Sequence, residues 1–225
     1  MRFSLVFLLG SAVFLGFGAS LDVPFDLARP AREWALFGVD LAMPGLPTNP
    51  GSLAFSSGWN LSSTFSSVFG ALQVWAVSGS GRGVAGGVVL LDSGEIGPNL
   101  RYRVWAGTVG AGFQLGSFGI GTRVRYIHPE QPKSSSGWAL DLGVLWVGPV
   151  CVGALVESVF SSSPSEEVWP RDLSLAAVFP WTLGSFVGAF GAGVVDVFSF
   201  PTGSLAMEVD FGALSLRGSL RPSNL

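Results

Sequence analysis

The sequence predicts an all-β protein, and more narrowly a transmembrane up-and-down antiparallel β-barrel of about eleven strands behind an N-terminal plug-like segment. Three observations carry that expectation. Of 225 residues, 48% are apolar but only 12% are charged, about half the ~25% usual for a soluble domain. From Trp59 onward, Val, Phe, Trp, Ser, Thr and Gly recur in segments separated by turn clusters, which is strand chemistry. Short connections at 116–117, 147–149, 181–183 and 212–213 alternate with longer polar ones at 92–99, 128–137, 161–171 and 199–203. A membrane barrel alternates in this way, with tight turns on one side and long loops on the other.

In chain order, residues 1–20 carry one Arg, an apolar run from Phe3 to Phe17 and then small residues. They read as a secretory signal peptide, the run being short of the ~20 residues that span a bilayer. Export through the periplasm to the cell outer membrane is the expected address. Residues 21–56 form the plug-like segment; within it, 31–55 are apolar, rich in small residues and broken by Pro, neither a good strand nor a good helix. The barrel follows over 57–225. Its strands are expected near 59–66, 69–78, 82–91, 100–115, 118–128, 137–146, 150–160, 171–180, 184–198, 204–211 and 213–221.

Side-chain alternation sharpens the reading. In 138–146, Trp138, Leu140, Leu142, Val144 and Trp146 share one face, with Trp at both ends; such residues suit lipid and its two interfaces, so Trp138 and Trp146 are assigned as interfacial aromatics. Gly116-Ser117 suits a two-residue type II′ turn. Folding there pairs Leu115 with Phe118, Phe113 with Ile120 and Val109 with Val124 on one face, leaving Arg123 and Arg125 on the other, with Arg123 opposite Gly110. Folding at Gly212-Ala213 pairs Phe211 with Leu214 and Val209 with Leu216, and sets Glu208 opposite Arg217. A polar lumen lined by Arg123, Arg125, Asp141, Glu157, Glu208 and Arg217 follows, its carboxylates compensating its arginines.

Several chemistries are excluded. Cys and His occur once each, too few for a disulfide framework or a His/Cys metal cage, and no cofactor is expected. Lys+Arg number 12, with Lys133 the sole Lys, and net charge is −3; no basic run offers a footprint for nucleic acid. His128 reads as a loop residue, Cys151 as a small packing residue and Glu166-Glu167 as a solvated acidic loop. The glycines around 79–83 and 116–121 lack the Lys-Ser/Thr and following helix of a phosphate cradle. No nucleophile–base pair emerges, and an enzyme is not expected.

Asn49-Pro50-Gly51-Ser52-Leu53-Ala54 resembles the box near the start of FadL/PorV-like outer-membrane proteins, in which the N-terminal segment plugs the barrel. Val124-Arg125-Tyr126-Ile127 followed by Gly137-Trp138-Ala139-Leu140-Asp141-Leu142-Gly143 is similar to that family's central pattern. Leu214-Ser215-Leu216-Arg217-Gly218 is similar to its late strand. The resemblance consists of short motifs spread over 31–221. It implies passage of a hydrophobic small molecule, gated by displacement of the plug around Asn49 and Pro50, or a non-transporting role as a secretion-associated adaptor or structural barrel, with loops 128–137 and 161–171 as the contact surface. Its partners would be outer-membrane lipid and either that small molecule or a secretion protein. A soluble secreted β-sandwich is the third alternative, because lipid-facing and core-facing strands read alike. The family barrel is expected to hold about fourteen strands, so an odd count near eleven, ending Arg-Pro-Ser-Asn-Leu without a terminal aromatic, leads to the expectation of a truncated or degenerate chain lacking about three closing strands.

Overall fold

The computed structural model describes residues 36, 38–68, 72–97, 100–130, 136–162, 169, 171–199, 201–212 and 214–220. The expected signal peptide lies outside these residues, as do 21–35 of the plug-like segment, Lys133, Glu166 and Glu167. Eleven strands form one antiparallel sheet in which each pairs with its sequence neighbour. They are β1 Asn60–Val68, β2 Leu72–Gly81, β3 Val84–Gly97, β4 Leu100–Leu115, β5 Phe118–Pro129, β6 Gly137–Trp146, β7 Cys151–Ser162, β8 Asp172–Leu183, β9 Phe186–Val195, β10 Thr202–Phe211 and β11 Leu214–Leu220. The continuous sheet differs from the two packed sheets of a sandwich. No ladder joins β1 to β11 among the described residues.

Both turn-defined registers are as expected. Leu115 pairs with Phe118, Val109 with Val124 and Gly110 with Arg123; Phe211 pairs with Leu214 and Glu208 with Arg217. Gly116 and Gly212 take φ of 59° and 66°, the left-handed backbone that the first position of a type II′ turn requires. Three connections differ from expectation. The turn expected at 181–183 falls at Gly184-Ser185, because Gly184, with φ 61°, is the residue able to make it, and Trp181 stays in the ladder opposite Gly188. The glycine cluster at 79–83 turns only at its end, where Arg82 and Gly83 have φ of 50° and 85°. The polar stretch 92–99 is mostly strand, paired with β4 through two register shifts that absorb its irregular sequence. Long connections therefore occur only between β5 and β6, β7 and β8, and β9 and β10, not strictly along the chain.

The sheet has two chemically distinct faces. On the outward face, Val77, Val88, Val109, Val124, Leu142, Val144, Val152 and Leu175 form an aliphatic band. Aromatic residues border it at both ends. Phe65 pairs with Trp75, Leu90 with Trp105 and Tyr126 with Trp138 toward the loop end; Phe118 pairs with Trp146 and Phe179 with Phe190 toward the turn end. The charged strand residues on this face, Asp92, Glu95, Arg101 and Arg103, cluster at the loop end, and none interrupts the band among the described residues.

The inner face is filled. Residues 38–56 pack on it through two 3₁₀ segments, Val39–Ala42 and Pro50–Phe55. The first touches strands β6 to β10 and the second β3 to β7. Laid flat at about 4.8 Å per strand, β3 to β10 would extend about 34 Å, so the sheet must curve around this segment. Leu36, Val39, Leu41, Ala42, Met43 and Leu46 form a buried cluster with Leu145, Leu155, Val178 and Val195. A second cluster under β2 to β6 gathers Val74, Leu91, Val104 and Ile127 around Trp169, which is 2% exposed. The expectation of a polar lumen thus holds for only part of the inner face, because the apolar inner segment and Trp169 from the connection between β7 and β8 cover the rest.

Candidate functional site on the inner face

Asn49 anchors the inner segment to the sheet. Its Nδ2 donates to the carbonyls of Leu41 at 2.8 Å and Val144 at 3.0 Å, while its Oδ1 accepts from the Gly51 amide at 2.9 Å. One side chain thereby ties the two 3₁₀ segments to each other and to β6, with Pro50 starting the second segment at the position where a missing N–H does no harm. The Ser52 hydroxyl donates to the carbonyls of Leu46 and Asn49.

Glycine makes this approach sterically feasible. A Cβ on Gly51 would lie 2.8 Å from the carbonyl oxygens of both Gly119 and Gly143, and one on Gly112 would lie 2.6 Å from the Pro50 carbonyl oxygen. Cβ atoms on Gly121, Gly143 and Gly153 would overlap Pro50, Asn49 and Leu41 respectively. In sequence these inward glycines read as small partners for large neighbours, which is how Gly110 serves Arg123. Their main use is to admit a second backbone, and periodicity carries no signal for that.

Beside Asn49 lies a compensated ionic cluster. Asp141 is fully buried and binds two guanidinium groups, Arg123 Nε donating to Oδ2 and Arg125 Nη2 to Oδ1, each at 2.8 Å. Glu157 lies 3.3 Å from Arg123 and 3.8 Å from Arg125. The register shift between β6 and β7 falls at Asp141. There Ser158, at φ 52°, turns its amide onto Asp141 Oδ1 at 2.9 Å and its hydroxyl toward Arg125 at 3.2 Å. Bulges re-aim backbone groups in this way. Arg123 also donates to the Thr48 carbonyl at 3.2 Å, joining the cluster to the inner segment, and Arg125 lies 4.8 Å from the Trp169 ring centroid, a cation–π distance.

Four of the six expected lumen residues therefore meet in one cluster. Glu208 and Arg217 form a second pair at 2.6 Å on β10 and β11, with Asp210 at 4.0 Å. Sequence reasoning missed Asp172, which accepts from the Leu173 and Phe198 amides at 2.7 and 2.9 Å and closes the bend after β9. Trp138 and Trp146 sit at opposite ends of β6 on the outward face.

Also missed was a polar cluster at the loop end of the outward face, beyond the apolar band, because Asp92 and Glu130 fall in stretches read as loop, which hid their pairing with Arg101, Arg103 and Trp105 of the expected strand 100–115. Asp92 accepts from Arg101 and Arg103, and Glu130 accepts from Trp105 Nε1 at 2.6 Å and lies 3.5 Å from Arg103. Arg101 beside Asp92 holds its carboxyl well below the usual carboxylate range. His128 and Tyr126 share the Ser136 hydroxyl at 2.9 and 2.7 Å.

These arrangements are suited to holding structure in place. Each inner arginine faces a carboxylate, so the cluster has no uncompensated charge to offer an ion, and neither Cys151 nor His128 belongs to it. No family model, curated protein or solved structure matches the chain, and the likeness to FadL/PorV-like proteins rests on its short motifs alone.

Proposed function

We propose that this protein is an outer-membrane β-barrel wall whose outward face meets lipid and whose inner segment is a plug, and that it passes a hydrophobic small molecule across the membrane. The outward face carries this reading. An apolar band bordered by two aromatic rows, with the charged strand residues among those described confined to the interior and to the loop-end rim, matches the chemistry of a membrane barrel. Water would not stabilise so continuous an apolar surface. The plug role is supported by Asn49, Pro50 and the glycine contacts, which hold residues 38–56 across the interior.

Two measurements test the proposal. Extraction of the membrane fraction in detergent, followed by gel mobility before and after boiling, is expected to give a heat-dependent shift; recovery in the soluble fraction would refute the membrane reading. Asn49→Ala, which removes three hydrogen bonds of the anchor, is expected to raise flux of an apolar dye into protein-loaded vesicles. Unchanged flux with the inner segment newly open to protease would refute the plug while leaving the membrane reading intact.

A further inference from the structure

We propose that the outward face carries a site for one phospholipid with an amino headgroup, its acyl chain lying in a groove over β3 and its headgroup held by the charged rim beside that groove. The site rests on the membrane reading of this face and goes beyond it, because a lipid-facing wall needs no particular lipid. The groove has a volume of about 330 Å³ and is lined by Phe65, Trp75, Val77, Val88, Leu90 and Trp105, within the range of ~300–1,000 Å³ for small-molecule sites. Register gives its shape. Trp75, Leu90 and Trp105 stand opposite one another on β2, β3 and β4, so the shorter Leu90 is a saddle between two indoles. Further from the rim, Val77 pairs with Val88, Val88 with Gly107 and Gly79 with Gly86. A Cβ on Gly86 or Gly107 would meet nothing nearer than 3.4 Å. Unlike the inward glycines, these two admit no second backbone, and their effect is to leave the groove floor open.

Charge complementarity selects the occupant. One outward position beyond Leu90, about 7 Å along the strand, Asp92 pairs with Arg103. Trp105 belongs to groove and rim alike, since its Nε1 donates to Glu130. Arg101 uses Nε and Nη2 on Asp92, and Arg103 uses Nε on Asp92 and Nη1 on Glu130. Among the described residues this leaves Arg101 Nη1 and Arg103 Nη2 to donate to a phosphate, the kind of acceptor guanidinium binds best. Glu130 is exposed and keeps lone pairs for a primary ammonium. With Glu95 opposite Arg101, the rim sets three carboxylates against two guanidiniums among these residues, which disfavours a headgroup carrying negative charge alone. A phosphate beside an ammonium satisfies both signs, at the depth where indoles meet headgroups.

The test exchanges the full chain into detergent micelles holding equal amounts of phosphatidylethanolamine and phosphatidylglycerol, and reads retained lipid by native mass spectrometry. Wild type is expected to retain one phosphatidylethanolamine per chain, about tenfold over phosphatidylglycerol, the discrimination one charged hydrogen bond supplies. Gly107→Leu, which fills the floor from an outward position, is expected to lower retention of both lipids about tenfold by displacing buried methylenes. Glu130→Gln is expected to remove the preference while leaving total retention intact. Equal retention of the two lipids by wild type, or retention unchanged in Gly107→Leu, would overturn the site. Flotation with phosphatidylcholine vesicles is read separately. Protein that fails to float refutes the membrane reading and the site with it, whereas protein that floats without the preference refutes the site alone.

Discussion

Asp141 is tightly constrained, since one carboxylate faces two arginines and a backbone amide while wholly buried. Asp141→Ala leaves Arg123 and Arg125 sharing only Glu157, and removing one partner from a buried ion cluster typically costs about 3–5 kcal/mol. The expected outcome is a urea midpoint lowered accordingly, read by tryptophan fluorescence, with a midpoint within 1 kcal/mol of wild type overturning the assignment. Glu208 and Arg217 allow a complementary check. Each single charge reversal is expected to destabilise β11, and Glu208→Arg/Arg217→Glu to recover part of the loss. At the rim, the depressed Asp92 carboxyl gives a pH prediction. Its contribution is complete above the ordinary value of 3.8 and is lost as pH falls below it toward the folded value. The unfolding midpoint should therefore begin to fall as pH drops below about 3.8, and Asp92→Asn should remove that part of the fall.

Strands and hairpins were largely legible in sequence, because a two-residue turn fixes register and register fixes every side chain beyond it. Gly116 and Gly212 identified themselves in this way. Gly184 did not, since the Trp181-Thr182-Leu183 run resembles a break until Trp181 is seen continuing the outward alternation. Asp92 read as loop because the polarity of 92–99 overrode strand pairing, which hid its contacts with Arg101 and Arg103 of the expected strand 100–115, and Trp169 was invisible because nothing local tells where a long connection deposits a side chain. The inner segment illustrates the same limit. Its unsuitability for helix or strand was evident, but the inward glycines that receive it, among them Gly112, Gly119, Gly121, Gly143, Gly153, Gly191 and Gly193, lie far away in sequence. A direct test is Gly143→Ala, whose methyl would overlap Asn49 and Pro50. Overpacking of this kind costs about 1–3 kcal/mol, and the expected sign is protease cleavage within 38–56 while the sheet's circular dichroism is unchanged.

At the scale of the whole molecule, two environments compete to explain the same sheet, and one residue separates them. Val109 lies midway along β4 on the outward face, between the aromatic rows, and is 70% exposed. If that face met water, Val109→Arg would add a solvated charge to an already exposed position, with an effect within about 0.5 kcal/mol. If it meets lipid, the guanidinium must sit near the bilayer midplane, where Arg on a barrel exterior costs about 2–4 kcal/mol. Placed instead at Leu115, near the turn end of the same strand and still outward, the same substitution should cost about 0–1 kcal/mol, because the charge reaches the interface. The lipid reading therefore predicts a depth-dependent ladder of stabilities, measured by reversible urea unfolding in vesicles, with Val109→Arg well below Leu115→Arg. Equal values for the two would return the outward face to water and remove the membrane role of Trp138 and Trp146 with it.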